Sequence, residues 1–216
     1  MVTISYNEND LIMGSAFSRI SQLFGGVHPT YLDLPWFNPP ALTGLNLEDK
    51  PIAIIRPPTV RREWMNISRN PKSQYINDVA GWLLDAGYCV ISICDLTEED
   101  EWLAGEPPPA SIHLHKGELT VTELLGLVQN SSALVGGVGF LLSAALATGK
   151  PMLLVAGGYG GQNDVHQVAD PSYCDNSKVT WIYPDNFCQC IEMIHPCDKT
   201  ISNFDEKVQA WIKNIS

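Results

Sequence analysis

The chain has 216 residues, 17 % of them charged and 45 % hydrophobic, which is the make-up of a compact domain with one well-formed core. Thirteen Lys and Arg against 24 Asp and Glu leave a formal charge of −11, which repels phosphate backbones and argues against a nucleic-acid partner. No apolar run reaches the roughly 18 residues needed to span a bilayer, and residues 1–10 lack the basic start and apolar core of a secretory signal, so a cytoplasmic protein without a membrane span is expected.

Over residues 9–24, Leu11, Ile12, Ala16, Ile20 and Leu23 recur at helical spacing until Gly25 and Gly26 end the pattern. Residues 28–50 carry Pro29, Pro35, Pro39 and Pro40 with Tyr31, Trp36 and Phe37 between them, the composition of an extended connector pinned by aromatics. Residues 1–50 are therefore expected to be a helix and a connector, and residues 51–216 a single α/β domain.

The alternating units begin with a short buried strand over 52–55. It runs into a polar loop holding Arg56, Thr59, Arg61, Arg62 and Trp64; with Arg69, four of the chain's 13 basic residues fall in this stretch. In an open α/β sheet a loop at a strand's C-terminal end is where ligands bind, so an anion site is expected here; a basic loop paired with nearby acids is the alternative. Asn70 and Pro71 read as an N-cap followed by proline at the first helical position, and Tyr75, Ile76, Val79, Leu83 and Ala86 give one apolar face, closed by Gly87. Residues 88–94 form a second strand, with Cys89 and Cys94 as reduced core residues. Asp95 ends that strand, where an acid can hold ribose hydroxyls or mark an ordinary turn. The acidic run over 97–101 and three consecutive prolines from Pro107 read as loop. A short strand over 111–115 puts His113 and His115 on one face, a spacing more usual for packing residues than for ligands. Thr120 with Glu123 forms a capping box ahead of Leu124, Leu125, Leu127 and Val128.

The next stretch, 133–161, reads as strand, glycine turn, helix, strand. Gly136, Gly137 and Gly139 break the first strand, residues 140–148 have helical composition, Gly149 stands where a C-cap glycine would, and 152–156 is a buried strand ending in Gly157 and Gly158. Glycines at both strand ends admit backbone N–H groups to a phosphate, or simply allow close helix-on-strand packing. After it, the polar stretch 162–177 reads as a structureless binding loop or lid, 179–183 as a last strand, and 204–215 as an amphipathic helix with Val208, Trp211 and Ile212 on one side. Cys188, Cys190, His195 and Cys197 cluster, but C-x-C-x4-H-x-C is no standard zinc pattern, so a thiol-rich segment and no metal is expected.

The order of elements, with GELTVTELLGLVQNSSALVGGVGFLLSAALATGKPMLLVAGG at residues 117–158, is similar to the nucleotide-sugar-binding half of GT-B glycosyltransferases. Within them it resembles the heptosyltransferase-like family, glycosyltransferase family 9, most clearly from Leu119 to Pro151. The resemblance implies a Rossmann-like, doubly wound, mainly parallel sheet that binds a nucleotide-diphosphate sugar without metal or cofactor. It places Arg56, Thr59, Arg61 and Arg62 on the loop that touches the donor diphosphate, Gly137, Val138, Gly139 and Phe140 on the family's glycine turn, and Gly157, Gly158 and Tyr159 on the loop after the following strand. Where family members commonly carry Asp-Ser/Thr-Gly and a following His, this chain has Val138, Gly139, Phe140 and Ser143, so contacts would come from backbone N–H groups and the Ser143 hydroxyl. No catalytic residue is assigned.

Only about 50 residues precede Pro51, fewer than the ~100 a second such half needs. The sequence therefore leads to two expectations. One is a glycosyltransferase, or its donor-binding subunit, that works as a homo-oligomer or with a separate acceptor-domain chain. The other is a non-catalytic sugar-nucleotide-binding module.

Overall fold

A computed structural model describes residues 49–215, together with Ser21, Gln22, Gly25 and Pro39. Ser21 and Gln22 are helical; the rest of the helix expected over 9–24, and nearly all of the connector over 28–50, lie outside the described residues.

The strands are β1 (Ile52–Ile55), β2 (Thr59–Arg61), β3 (Cys89–Ile93), β4 (Glu101–Leu103), β5 (Ile112–Leu114), β6 (Ala133–Gly136), β7 (Met152–Val155) and β8 (Val179–Ile182). The helices are α1 (Ser73–Asp85), α2 (Val121–Asn130), α3 (Phe140–Thr148), the single turns α4 (Gly160–Asn163) and α5 (Val165–Val168), and α6 (Phe204–Ile215). Six strands pair in the order β5-β3-β1-β6-β7-β8, every pair parallel. Counting only these six, the order is 3-2-1-4-5-6, that of a doubly wound Rossmann-like sheet.

The strand sequences explain why both faces are covered. Alternate residues of a strand point to opposite faces, and here both sets are apolar. Ala53, Ile55, Val90, Val135, Leu153 and Val155 join Ile76, Val79 and Leu83 of α1 and Val208, Trp211 and Ile212 of α6 in one core cluster. Ile54, Ile91, Leu134, Met152 and Leu154 join Leu127 and Val128 of α2 and Leu141, Ala144 and Ala145 of α3 in the other. With both faces buried, the strands read as continuous apolar runs.

Local signals set most element ends. Thr120 and Glu123 make both bonds of the capping box at the start of α2, Gly87 turns the chain at φ +87° after α1, and Gly149 is left-handed at φ +64° after α3. The start of α1 differs from the sequence reading. The N-cap is Lys72, and no side chain caps it. The Asn70 amide instead donates to the Thr59 carbonyl at 2.8 Å, so Asn70 fastens a loop to β2 and leaves the helix to begin beyond Pro71. The stretch 97–103 is not all loop either, since Glu101–Leu103 pairs antiparallel with Thr59–Arg61. Nor is 162–177 a structureless lid: it carries α5 and buries Gln162, Asn163, Ala169 and Cys174.

Candidate functional site

The sheet order reverses between β1 and β6, which diverge to neighbours on opposite sides. A crevice opens there, beyond their C-terminal ends, because the segments leaving the two strands go to opposite faces of the sheet. In this protein it is a cavity of about 390 Å³. From the β1 side it is lined by Arg56, Thr59, Arg61, Trp64, Arg69 and Asn70, and from the β6 side by Gly137, Val138, Gly139, Phe140 and Leu141.

The basic wall is held by a buried carboxylate. Glu101, 5 % exposed, accepts from Arg56 Nη2 at 3.0 Å, from Arg61 Nε at 2.8 Å and from Thr59 Oγ1 at 2.6 Å. Such charge-assisted bonds fix the planes of both guanidinium groups. One carboxylate faces two arginines, so the cluster keeps a positive charge. Arg69 joins the wall from the loop before α1: its Nη2 donates to the carbonyl of Val138 and so ties the two walls together. The backbone supports this frame, for Asn66 accepts from the Arg61 N–H at 3.2 Å, and Arg56 N–H donates to the Val135 carbonyl at 2.9 Å, carrying the β1–β6 pairing to the mouth of the cavity.

The other wall is the first turn of α3. Its N-cap is Gly139, and no side chain caps it. The positive end of the helix dipole therefore faces the cavity, where an anion is favoured. A Cβ added at Gly139 would meet only Arg69 Nη2, at 3.9 Å, so this glycine leaves open space on the cavity side and serves no tight packing. Trp64 and Phe140, 51 % and 37 % exposed, stand at the rim as aromatic surfaces. Among the described residues the lining includes no Asp, Glu or His.

No protein-family model matches the sequence, and no curated relative does. Solved structures do match. The ADP-heptose LPS heptosyltransferase II of E. coli is similar over 92 % of this chain and 62 % of its own, with a TM-score of 0.52 and 16 % identity. TibC from enterotoxigenic E. coli H10407, an iron-containing dodecameric glycosyltransferase, is similar over 99 % of this chain and 56 % of its own, with a TM-score of 0.57 and 14 % identity. This chain has a heptosyltransferase-like fold. A second structure, the heptosyltransferase TibC in complex with ADP-D-β-D-heptose, gives a TM-score of 0.54 over the same shares at 14 % identity. At such identities the likeness is one of fold, and the chain spans 56–62 % of the length of these heptosyltransferases.

Within the heptosyltransferase-like fold the residues singled out from sequence separate into three groups. Arg56, Thr59, Arg61, Gly137, Val138, Gly139 and Phe140 line the one cavity. Arg62 and Ser143 do not. Ser143 is exposed on α3, while Arg62 lines an adjoining cavity of about 630 Å³ with Glu63, Asp95, Asp100 and Glu101. Gly157, Gly158 and Tyr159 form the third group and are not among its lining residues. A Cβ at Gly157 would fall 2.3 Å from the Asn70 carbonyl oxygen and 2.4 Å from that of Arg69, and one at Gly158 would fall 2.2 Å from Cys197 Sγ. These glycines are explained by close packing, the second of the two readings the sequence allowed.

Sequence reasoning missed Glu101 and Arg69 as partners in the site. Glu101 was hidden in an acidic run that reads as solvated loop, and only the antiparallel register that sets it opposite Arg61 buries it. Arg69 was counted among the basic residues, but its reach to Val138 crosses 69 positions of chain. The two histidines of β5 and its end are packing residues: His115 Nε2 pairs with Ser92 Oγ at 2.8 Å, and His113 Nε2 with the Pro108 carbonyl at 2.9 Å. Burial, with His113 beside it, pushes the His115 pKa below its ordinary value. Burial also pushes the Cys94 thiol up to about 12, in keeping with a protonated core cysteine. Among the described residues no helix is long and apolar enough to cross a membrane.

Proposed function

We propose that this chain binds the nucleotide-diphosphate sugar of a metal-independent glycosyltransferase reaction, with the diphosphate in the cavity between β1 and β6. The observation that carries this reading is the meeting of Arg56, Arg61 and Arg69 with the uncapped first turn of α3 around one cavity. Oriented guanidinium groups and a helix N-terminus stabilise the charge that develops on a departing nucleoside diphosphate, and they do so without reorganising. A divalent ion at the diphosphate needs oxygen ligands, usually carboxylates, and the lining has no carboxylate or imidazole to offer. The arginines take over that charge-neutralising role.

Trp64 and Phe140 are placed to cover the base or the sugar at the rim. The neighbour solved with ADP-D-β-D-heptose favours an ADP-activated sugar as the first donor to try. The general base and the acceptor come from outside this cavity, from another part of the protein, a second copy or a separate cytoplasmic chain. A sugar-nucleotide-binding module without turnover is the second reading, favoured by the absence of a carboxylate or imidazole along the glycine turn at Gly137–Phe140.

The test is turnover with a panel of nucleotide sugars headed by an ADP-heptose, measured as release of nucleoside diphosphate, alone and with the product of any neighbouring gene. Release that depends on Arg56 and Arg69 supports a transferase. Binding without release under every condition supports the module.

A further inference from the structure

Cys188, Cys190, His195 and Cys197 lie beyond β8 and ahead of α6, outside the cavity described above. The sequence spacing argued against a metal, but the fold brings their ligand atoms together: three sulfurs and one imidazole nitrogen all lie within 4.8 Å of one another. Three of the six separations are 3.5 Å between Cys190 Sγ and Cys197 Sγ, 3.6 Å between Cys188 Sγ and His195 Nδ1, and 3.3 Å between His195 Nδ1 and Cys197 Sγ. A tetrahedral ion with metal–sulfur bonds of about 2.3 Å and a metal–nitrogen bond of about 2.0 Å would set its ligands roughly 3.5–3.8 Å apart. The four groups therefore stand at ligand spacing.

From this geometry we propose that Cys188, Cys190, His195 and Cys197 bind one divalent transition-metal ion, zinc or ferrous iron, in a closed tetrahedral site. Three thiols and one imidazole are the ligand set such soft-to-borderline ions select, and four protein ligands leave no open position, which makes the site structural. On binding, each thiol releases its proton to solvent and its sulfur bonds the metal as a thiolate. The surroundings fit this role. His195 turns Nδ1 to the sulfurs and Nε2 toward Glu192 Oε2, 3.9 Å away, a carboxylate placed to orient a metal-bound imidazole. The turn after β7 holds the segment from the other side: Tyr159 is left-handed at φ +64°, and Gly160 and Gly161 donate to the carbonyls of Cys188 and Cys190 at 2.8 and 3.1 Å.

The ion would hold the 188–197 segment folded on itself, and backbone bonds carry that shape to the turn after β7 and to the loop that carries Arg69. Gly158 N–H donates to the Ser68 carbonyl at 2.7 Å, and Ser68 N–H to the Met193 carbonyl at 2.9 Å. The metal site and the cavity wall are thus built on the two ends of one short connection.

The test is the metal content of the whole chain purified under reducing conditions, zinc and iron read together, followed by titration of the metal-free protein with cobalt as a spectroscopic stand-in. One ion per chain and a tetrahedral thiolate–cobalt spectrum are expected, whichever native metal is found. C188S and C197S should each lose them, whereas C174S, a buried cysteine outside the cluster, should keep them. A chelator should lower the thermal midpoint of the wild type by ~5 °C or more and leave C197S unmoved. Wild-type protein that is folded, reduced, metal-free and indifferent to cobalt would overturn the proposal. So would a disulfide between Cys190 and Cys197 in the protein as isolated from cells.

Discussion

Arg61 and Glu101 sit directly opposite one another in the small antiparallel ribbon of β2 and β4, joined by a bond of 2.8 Å from Nε to Oε2. The ribbon is too short to be stable alone; Glu101 fastens it to the main domain by also accepting from Arg56 and Thr59. Removing this carboxylate leaves a buried hydroxyl without its acceptor and two arginines without their partner. We expect Glu101→Ala to lower unfolding free energy by about 2–3 kcal/mol, and Glu101→Gln by less than half of that, because an amide oxygen can still accept from Thr59. Urea unfolding of the three proteins checks both values.

The glycines of the two βα turns should respond in opposite ways. A methyl group at Gly157 would collide with the carbonyls of Arg69 and Asn70, which are backbone atoms that cannot swing aside, whereas one at Gly139 meets nothing closer than 3.9 Å. Gly157→Ala is expected to destabilise by roughly 1–3 kcal/mol and Gly139→Ala to stay within about 0.5 kcal/mol of wild type. Thermal unfolding separates them. If the cavity is the ligand site, only Gly139→Ala should weaken binding while leaving the fold intact, since its methyl would project where a phosphate must approach the backbone.

Stability should also fall on mild acidification, through His115. Its pKa is held below the ordinary 6.5, first by burial and then by the neighbouring His113. In the folded state the ring stays neutral at a pH where the unfolded chain has already taken up a proton. No penalty exists above about pH 7; below 6.5 protons favour the unfolded chain, and stability drops until the lower folded pKa is reached. The depressed carboxyls of Glu118 and Glu123 begin to act only below their ordinary 4.5, so the fall that sets in just below pH 6.5 belongs to the histidine. Replacing His115 with Asn should flatten the stability profile just below pH 6.5, as read by denaturant midpoints at each pH.

Much of the fold was legible because local signals agreed with the global arrangement. The apolar runs at 52–55 and 152–156, the Thr120–Glu123 capping box and the closing glycines Gly87 and Gly149 each depend on near neighbours in sequence, and each appears in the structure. What sequence reasoning missed depends on distant pairing. Glu101 becomes a site residue only through its register with Arg61, and Asn70 gives up helix capping only because the Thr59 carbonyl is within its reach. The two glycine turns look alike in sequence, yet Gly139 faces open space while Gly157 lies under the loop at 68–70; what covers each turn is decided by elements far along the chain. The cysteine cluster is a similar case: its spacing in sequence follows no standard pattern, while the fold brings its four ligand atoms within 4.8 Å of one another.

Arg69 should matter more to ligand binding than to stability. It spans the cavity from the loop before α1 to the Val138 carbonyl, so it contributes charge and also holds the glycine turn in place. Arg69→Lys keeps the charge but loses the fork and the reach of the guanidinium. We expect it to recover only part of what Arg69→Ala loses, in a binding titration at fixed salt.

Binding of a nucleoside diphosphate between β1 and β6 can be measured by calorimetry with ADP, UDP, GDP and CDP. At least one of them is expected to bind, with an affinity that falls with added salt. Arg56→Ala and Arg69→Ala should each weaken it by roughly 1.5–3 kcal/mol, with Arg62→Ala, which lies outside this cavity, close to wild type. Binding that is equal in wild type and in the Arg56 and Arg69 variants, or no binding of any diphosphate, would contradict a diphosphate site between β1 and β6.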